Sequence, residues 1–270
     1  MAFGASKHSP SPDLKLQQRR EAENLRKILG YYGSKTVFKI IPNDYLVLRV
    51  ETTGTNSDED WPIDVCVLEV KARSVVGSLR KTINWKLADG KQLPGGEYRR
   101  IKEKLRWLSD IIAERGAVWP YTPGHLEKAG VSPLELKEVL EKLAGCPDVI
   151  GYNAVFMDWP ILLGAAASIG FEKQARDADL LLENRLWDLS CIDKAAMYSM
   201  LPDQRWPDLL SFCRSAKEQQ AGTFTPIRQA IEKYQLSQYR TVKDPWEYNA
   251  EEAAYFTYHL FEHWRFLEVS

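Results

Sequence analysis

The sequence predicts an α/β fold in which helices cover both faces of a mixed β-sheet. Three successive segments, 45–54, 63–72 and 78–87, carry compact apolar runs with β-branched residues, which are typical of buried strands. Short polar turns separate these segments, so we expect the three strands to form an antiparallel meander. Further along the chain, helical and strand-like segments alternate, and this order predicts a sheet with helices packed on both sides.

The remaining elements are predicted from apolar spacing and from residues that begin or end a helix. In 132–145, Ser132 and Glu135 form a predicted capping box and Gly145 ends the helix. Short strands are expected at 148–153 and at the start of 186–197, where the chain then turns into a helix. Further helices are expected at 13–29, 97–116, 159–170 and 249–266.

The composition favours a globular protein, and its length allows one large domain or a domain with an appendage. The 270 residues are 44% apolar, and 36 Lys and Arg against 37 Asp and Glu give a net charge of -1. This balance excludes a generally basic nucleic-acid coat, although it permits a local basic groove. No apolar run approaches the ~18 residues of a membrane span, and the N-terminus lacks an apolar signal segment. We therefore expect a cytoplasmic protein without membrane contact.

Cysteine usage predicts neither a zinc site nor a disulfide framework, because the four cysteines lack C-x-x-C spacing. Residues 1–40 are expected to form a separate N-terminal region, with a tail at 1–12 and a charged helix at 13–29. This helix either docks on a partner or packs on its own domain, which would span 41–270. The helix at 97–116 has a basic face, which is either solvated or tracks phosphates. Its members are Arg99, Arg100, Lys102, Lys104 and Arg106.

Two segments carry the strongest functional signal. One is V-E-T-T-G, from Val50 to Gly54, and the other is G-Y-N-A-V-F-M-D-W-P-I-L, from Gly151 to Leu162. They resemble the first two motifs of the DEDD superfamily of 3′–5′ exonucleases (DnaQ-like, RNase T-like), D-x-E-T-T-G and H/Y-N-x-x-x-F-D-x-P-x-L. The segments 121–136, 186–193 and 248–261 resemble later parts of the family in the same order. The resemblance covers about 45–266 and implies an RNase H-like sheet in an exonuclease-like domain.

The resemblance also implies a chemistry, which is hydrolysis of a 3′-terminal phosphodiester by two metal ions. Such ions lie about 3.5–4 Å apart, where they activate a water and stabilise the leaving oxygen. Magnesium prefers hard oxygen ligands, so the family brings four carboxylates together from separate elements. A His or Tyr on the final helix orients or deprotonates the attacking water.

This sequence keeps only part of that carboxylate set. Glu51 and Asp158 are retained, whereas the first aspartate position is Arg49 and the last is Ala253; the base position is Tyr248. Arg49 and Glu51 are two residues apart on a strand, so their side chains share a face. The guanidinium can pair with both retained carboxylates and would repel a divalent cation. The sequence thus predicts a degenerate exonuclease with an ion-pair network and no cofactor.

Two functional hypotheses follow from this pattern. In the first, an inactive exonuclease-fold protein binds a single-stranded 3′ end through Thr52, Thr53 and Asn153, or binds a partner protein. In the second, an active exonuclease uses Mg²⁺ or Mn²⁺ in a remodelled site built on Glu51, Asp158 and Glu252. The second hypothesis rests on the tyrosine subtype of the superfamily, in which Y-x-x-x-D closes the site and Tyr248 to Glu252 reads Y-x-x-x-E.

Two further sets of residues have both a functional and a purely structural interpretation. His259 and His263 have the i, i+4 spacing of metal ligands, but no third ligand is evident, and a helix face is the simpler interpretation. Tryptophans can stack on the bases of a single strand, or they can belong to the core or a partner contact. The tryptophans in question are Trp159, Trp187, Trp206 and Trp246.

Overall fold

The computed structural model describes residues 42–114, 119–152, 154–182, 185–189 and 249–264. The N-terminal helix, the helix expected after residue 188, Trp206 and Trp246 lie outside these ranges. The domain boundary near residue 40 therefore stays a prediction. Within the described ranges, no helix has the length and apolar character needed to cross a membrane.

A five-stranded mixed sheet lies at the centre of the described structure. Its strands are β1 (Tyr45–Thr52), β2 (Pro62–Lys71), β3 (Ser74–Thr82), β4 (Val149–Gly151) and β5 (Leu186–Asp188), in the order β3-β2-β1-β4-β5. The first three strands pair antiparallel, whereas β4 is parallel to both β1 and β5. The predicted meander is confirmed, and this strand order with these directions is that of an RNase H-like sheet.

The third strand begins and ends earlier than the sequence predicted. Ala72 and Arg73 have positive φ angles of 45° and 66°, which make a tight turn between β2 and β3. The chain therefore re-enters the sheet at Ser74 rather than near residue 78. Past the end of β3, the side chain of Asn84 accepts a hydrogen bond from the amide of Lys86 and caps a 3₁₀ turn. The segment 85–87, predicted as strand, is this turn.

Six α-helices are described: α1 (Glu97–Glu114), α2 (Pro123–Ala129), α3 (Leu136–Ala144), α4 (Trp159–Ser168), α5 (Glu172–Leu182) and α6 (Ala250–Trp264). The sequence predicted α1, α3, α4 and α6 and missed α2 and α5. Ser132 is an N-cap and Gly145 ends α3, as predicted. The capping box is wrong, because Ser132 caps a 3₁₀ turn at Pro133–Glu135, where its side chain accepts a hydrogen bond from the Leu134 amide. The carboxylate of Glu135 instead accepts a hydrogen bond from Lys81 on β3.

Helices cover both faces of the sheet, as the sequence predicted. On one face, Tyr45 packs edge-on against Phe261 of α6, with ring centroids 5.0 Å apart. On the other face, Leu46, Leu48 and Val50 join the main apolar core with side chains of α1 to α5. Residues of a strand alternate between faces, so Arg49 and Glu51 lie on the same side as Tyr45, near the end of β1.

Candidate functional site

The candidate site lies where parallel strands β1 and β4 end side by side. The carboxyl ends of neighbouring parallel strands form a crevice in which ligands commonly bind. A π-helical turn at Ala154–Asp158 follows β4 and carries Asp158 back toward β1. There, Asp158 Oδ2 accepts a hydrogen bond of 3.2 Å from the amide of Val50. The first two sequence motifs thus meet in space.

Arg49 and Asp158 form an ion pair at this point. Arg49 Nη1 lies 3.4 Å from Asp158 Oδ2 and also donates a hydrogen bond of 2.6 Å to the carbonyl oxygen of Tyr152. The Asp158 side chain is 3% exposed and that of Arg49 is 19% exposed. Among the described residues, Arg49 Nε is buried and has no hydrogen-bond partner. The predicted pairing of Arg49 with Asp158 is observed, but no described ion pair within 4.0 Å joins Arg49 to Glu51.

Burial controls the protonation of both carboxyl groups. It raises the pKa of Asp158 to about 6, against the opposing effects of Arg49 and the Val50 amide. Burial also raises the pKa of Glu51 to about 7; Arg49 opposes this shift, and the negative charges of Asp158 and Asp64 add to it. Burial acts to lower the pKa of Arg49, but the nearby carboxylates outweigh it and the net shift is upward. The guanidinium is therefore a permanent positive charge beside the carboxyl group of Asp158.

A cleft of about 690 Å³ opens above this ion pair. Its walls come from the end of β1, the turn that follows, helix α1 and the residue after β4. The lining is largely apolar, and Trp107 and Tyr152 within it are 61% and 36% exposed. A cleft of this size falls in the usual range for small-molecule and cofactor sites.

The turn after β1 forms one wall of the cleft, and Asp60 holds it in place. The Asp60 carboxylate accepts hydrogen bonds from Thr53 Oγ1 at 2.9 Å, the Asn56 amide at 2.8 Å and Lys104 Nζ at 2.8 Å. Thr52 Oγ1 donates within the same turn, to the carbonyl oxygen of Gly54. Both threonines line the cleft, as expected of substrate-binding residues, but their hydroxyl groups serve the turn. Their proposed role stays a prediction.

The structure describes only some of the other predicted site residues. Asn153 and Tyr248 lie outside the described residues, and so does the side chain of His263. Ala253 is half-buried on α6. Glu252 lies in the first turn of α6, where its Oε2 accepts a hydrogen bond of 3.4 Å from the Asn249 amide.

The residues present do not fit a metal centre. Among the described residues, no group of three or more His, Cys, Asp or Glu side chains could hold a metal ion. The alternative ligand set of Glu51, Asp158 and Glu252 stays a prediction; in the structure, the carboxylate of Glu252 takes part in capping α6. In addition, Arg49 already pairs with the Asp158 carboxylate.

Two of the tryptophans considered for base stacking belong to the core. Trp159 and Trp187 are 1% and 2% exposed, and their ring nitrogens donate hydrogen bonds to Asp179 and Asp148. The stacking interpretation is therefore wrong for these two residues.

The basic face of α1 is largely neutralised. Four of its five cations form ion pairs with described carboxylates, which makes a phosphate-tracking surface the weaker interpretation. The pairs are Arg99–Glu103, Arg100–Glu97, Lys102–Glu127 and Lys104–Asp60.

Sequence reasoning missed two residues of this region. Asp188 ends β5 opposite Gly151 of β4, is fully buried, and accepts a hydrogen bond of 2.9 Å from the Val155 amide. It fixes the turn that carries Asp158, and its charge contributes to the raised pKa of Asp158. An aspartate at the end of a predicted strand was the available signal. Trp107 gave no signal, because exposure of an aromatic residue on a helix depends on tertiary packing.

No protein-family model matches the chain, and no curated protein sequence matches it. Several solved structures are similar. A zinc-bound complex of E. coli exonuclease I with single-stranded DNA is 16% identical, with a TM-score of 0.48, over 82% of this chain and 40% of that one. A product-bound exonuclease I is 15% identical, with a TM-score of 0.49, over 82% and 43%. The complex of E. coli exonuclease I with a dA16 oligonucleotide is 17% identical, with a TM-score of 0.41, over 62% and 32%.

This chain thus spans less than half the length of these exonuclease I chains. The fold assignment made above rests on the strand order and strand directions of the sheet itself.

Proposed function

We propose that this chain is a catalytically inactive protein of the 3′–5′ exonuclease fold that binds single-stranded nucleic acid in the cleft above Arg49. The observation that carries the proposal is the ion pair between Arg49 and Asp158, at 3.4 Å. It puts a fixed cation against one of the two carboxyl groups that the motif resemblance would assign to metal ions.

The inactivity follows from charge. Hydrolysis by two metal ions needs several carboxylates that remain free to bind cations. Here Asp158 is paired with a guanidinium, which cannot lose its proton in a protein.

The binding half of the proposal rests on the cleft. The E-T-T-G turn is intact, Asp60 anchors it, and the space beside it remains open. The cleft is located where the motif resemblance places the nucleic-acid end. A protein partner, also expected from the sequence, stays a prediction.

A trimming assay tests the inactivity. We expect 5′-fluorescein single-stranded DNA and RNA 20-mers to remain at full length when incubated with the protein and Mg²⁺ or Mn²⁺. Metal-dependent shortening from the 3′ end that disappears in the Asp158→Ala variant would overturn the proposal. Shortening that persists in this variant would come from a contaminating nuclease, and it should disappear when the wild-type protein is purified again.

Calorimetry tests the charge argument separately. We expect titration of the wild-type protein with Mn²⁺ to show no tight binding. The Arg49→Asp variant removes the fixed cation and adds a carboxylate beside Glu51, so measurable Mn²⁺ binding is expected from it. Tight binding of two ions by the wild-type protein would contradict the proposal.

A further inference from the structure

The floor of the cleft is the segment that connects β4 to α4. Strand β4 has only three residues, and residues 152 and 154–158, here called the β4–α4 turn, lead from its end into the helix. Tyr152, Met157 and Asp158 of this turn line the cleft, whereas Val155 between them is fully buried. The shape of the cleft therefore depends on how the rest of the fold holds this turn in place.

Arg49 holds the two ends of the turn from β1. Its Nη1 donates a hydrogen bond of 2.6 Å to the carbonyl oxygen of Tyr152, at the beginning of the turn, and lies 3.4 Å from Asp158 Oδ2 at the end. The amide of Val50, the next residue of β1, donates to the same carboxylate oxygen at 3.2 Å. One guanidinium thus joins both ends of the turn to one neighbouring strand.

Asp188 holds the middle of the turn from β5, the strand on the other side of β4. Its Oδ2 accepts a hydrogen bond of 2.9 Å from the Val155 amide, and the residue is fully buried. The amide of Leu189 donates at 2.9 Å to the carbonyl oxygen of Gly151, just before the turn. Hydrogen bonds with one charged partner are roughly twice as strong as neutral ones. The turn therefore has strong contacts to both strands that flank β4.

We propose that Arg49 and Asp188 are positioning residues that clamp the β4–α4 turn from both sides and keep the cleft in its binding shape without a metal ion. Where carboxylates bind a metal ion, the cation itself draws their chain segments together. The residues that the structure describes do not fit a metal centre, and the Arg49 guanidinium supplies the positive charge that links Asp158 to β1. The clamp is a property of the turn, and only its effect on strand binding rests on the proposed function.

Nuclear magnetic resonance tests the clamp without nucleic acid. In spectra of the ¹⁵N-labelled protein in EDTA, we expect Arg49→Met to shift or broaden the amide signal of Val155, which is hydrogen-bonded to Asp188 and not to Arg49. We expect Asp188→Leu to shift or broaden the amide signal of Val50 in the same way. Lower stability alone leaves the spectrum of the folded protein unchanged, so these effects would show that the turn is released as a unit.

Two conservative variants and one control complete the set. Arg49→Lys keeps the charge but lacks the fork of the guanidinium, and Asp188→Asn keeps an acceptor oxygen, so each should recover part of the wild-type signal. Arg176→Met is the matched control, because Arg176 is exposed on α5 and does not line the cleft. The Arg73 amide, in the hairpin at the far end of β2, should keep its signal in every folded variant.

Strand binding tests the effect of the clamp on the cleft. The affinity for a labelled single-stranded 12-mer of deoxythymidine is measured by fluorescence anisotropy in EDTA and in Mg²⁺, and we expect the wild type to give the same Kd in both. Asp188→Leu should raise the Kd about tenfold, which corresponds to a turn that keeps its arrangement in about a tenth of the molecules. Because Asp188 is fully buried and cannot touch the strand, this loss has to act through the turn.

The outcomes separate the clamp from the proposed function. An unchanged Val155 signal in Arg49→Met, or a wild-type Val155 signal that moves when Mg²⁺ is added, would overturn the clamp whether or not the strand binds. Normal strand binding by Asp188→Leu would overturn the role of the clamp in the cleft. Released turns in the variants, together with no strand binding by the wild type, would support the clamp and overturn the proposed function. If Asp188→Leu does not fold, which loss of the Arg73 signal would show, Arg49→Met decides between these outcomes.

Discussion

Two buried aspartates pair with arginines that lie on strands of the sheet, and the two pairs are satisfied to different degrees. Asp158 accepts one backbone amide and lies 3.4 Å from Arg49, whose buried Nε has no hydrogen-bond partner among the described residues. Asp64 on β2 is 0% exposed and binds Arg80 through both Nε and Nη2, at 3.0 and 2.8 Å. Paired bonds of this kind are the strongest form of an arginine–carboxylate contact.

The Asp64 network extends well beyond its arginine. The carboxylate also accepts hydrogen bonds from Tyr121 OH at 2.6 Å, Thr82 Oγ1 at 3.2 Å and the amide of Ala250 at 3.2 Å. It therefore joins β2, β3 and the chain before α2 to the first residue of α6.

This difference separates a structural role from a binding role. A fully satisfied buried network makes the fold rigid and unique, whereas a buried polar group without a partner is more often explained by a functional role. Raised carboxyl pKa values beside an open cleft are likewise typical of functional sites. The fold thus depends on Asp64, and function is expected at Asp158.

The largest expected effect is the loss of stability in Asp64→Asn. The substitution leaves Arg80 without its anion and weakens three other hydrogen bonds, so we expect the free energy of unfolding to fall by about 3–5 kcal/mol. The matched variant Asp158→Asn removes one weaker set of contacts, and we expect a loss of about 1–2 kcal/mol. Urea unfolding at pH 7 measures both. Equal losses would show that the two pairs are satisfied to the same degree.

A pH-dependent effect of about 3 kcal/mol is expected from Glu51→Gln. Burial raises the pKa of Glu51 to about 7, above its value in the unfolded chain, so the folded protein binds this proton more tightly. Its contribution to stability is therefore present below about pH 4 and is lost as the pH rises to 7. Relative to the wild type, Glu51→Gln should gain about 3 kcal/mol between pH 4 and pH 8.

Unfolding experiments at both pH values provide the measurement for Glu51. The control is Asp58→Asn, an exposed acid on the neighbouring turn, for which we expect the difference from the wild type to change by less than about 0.5 kcal/mol. An equal change in the two variants would show that the Glu51 carboxyl group is solvated and that burial does not raise its pKa.

Gly54→Ala is expected to destabilise the turn that forms one wall of the cleft, and its effect on the free energy of unfolding should be similar to or smaller than that of Glu51→Gln. A Cβ atom at this position would overlap the carboxylate of Asp60, the group that holds Thr53, Asn56 and Lys104. We expect a loss of about 1–3 kcal/mol in unfolding experiments, as for an overpacked site, and weaker binding of a labelled single-stranded 12-mer of deoxythymidine. At Gly95 an added Cβ meets nothing within 4 Å, so Gly95→Ala is the control. Normal stability of Gly54→Ala would mean that Asp60 is not needed for the turn.

The sequence was sufficient to predict the sheet because its strands differ clearly from their turns in hydrophobicity. The runs at 45–54 and 63–72 became β1 and β2 almost without change. The errors arose where a local interaction overrides the pattern: the turn at Ala72 and Arg73 shifted β3, and Lys81 took the carboxylate of Glu135 that was assigned to a cap.

The site was predictable to the extent that it lies on the motifs. The motif resemblance implied that Arg49 and Asp158 meet, and in the structure a strand end and a turn after a neighbouring strand share one edge of the sheet. The exposure of Trp107 and the burial of Asp188 depend on packing between distant segments, which the pattern of a single element does not contain.

The smallest expected effect concerns Glu252, at the start of the helix that covers Asp64. Asn249 Oδ1 accepts hydrogen bonds of 3.0 Å from the amides of Glu251 and Glu252, and Glu252 Oε2 reaches back to the Asn249 amide. This reciprocal arrangement is a capping box. We expect Glu252→Ala to cost about 0.5–1 kcal/mol in unfolding experiments, and Glu252→Gln, which keeps the acceptor, to cost less. Neither variant should change binding of the deoxythymidine 12-mer, because this cap stabilises the start of α6 beside Asp64 and is not part of the cleft. A selective loss of strand binding in Glu252→Ala would instead assign this carboxylate to the cleft and remove the division between the two regions.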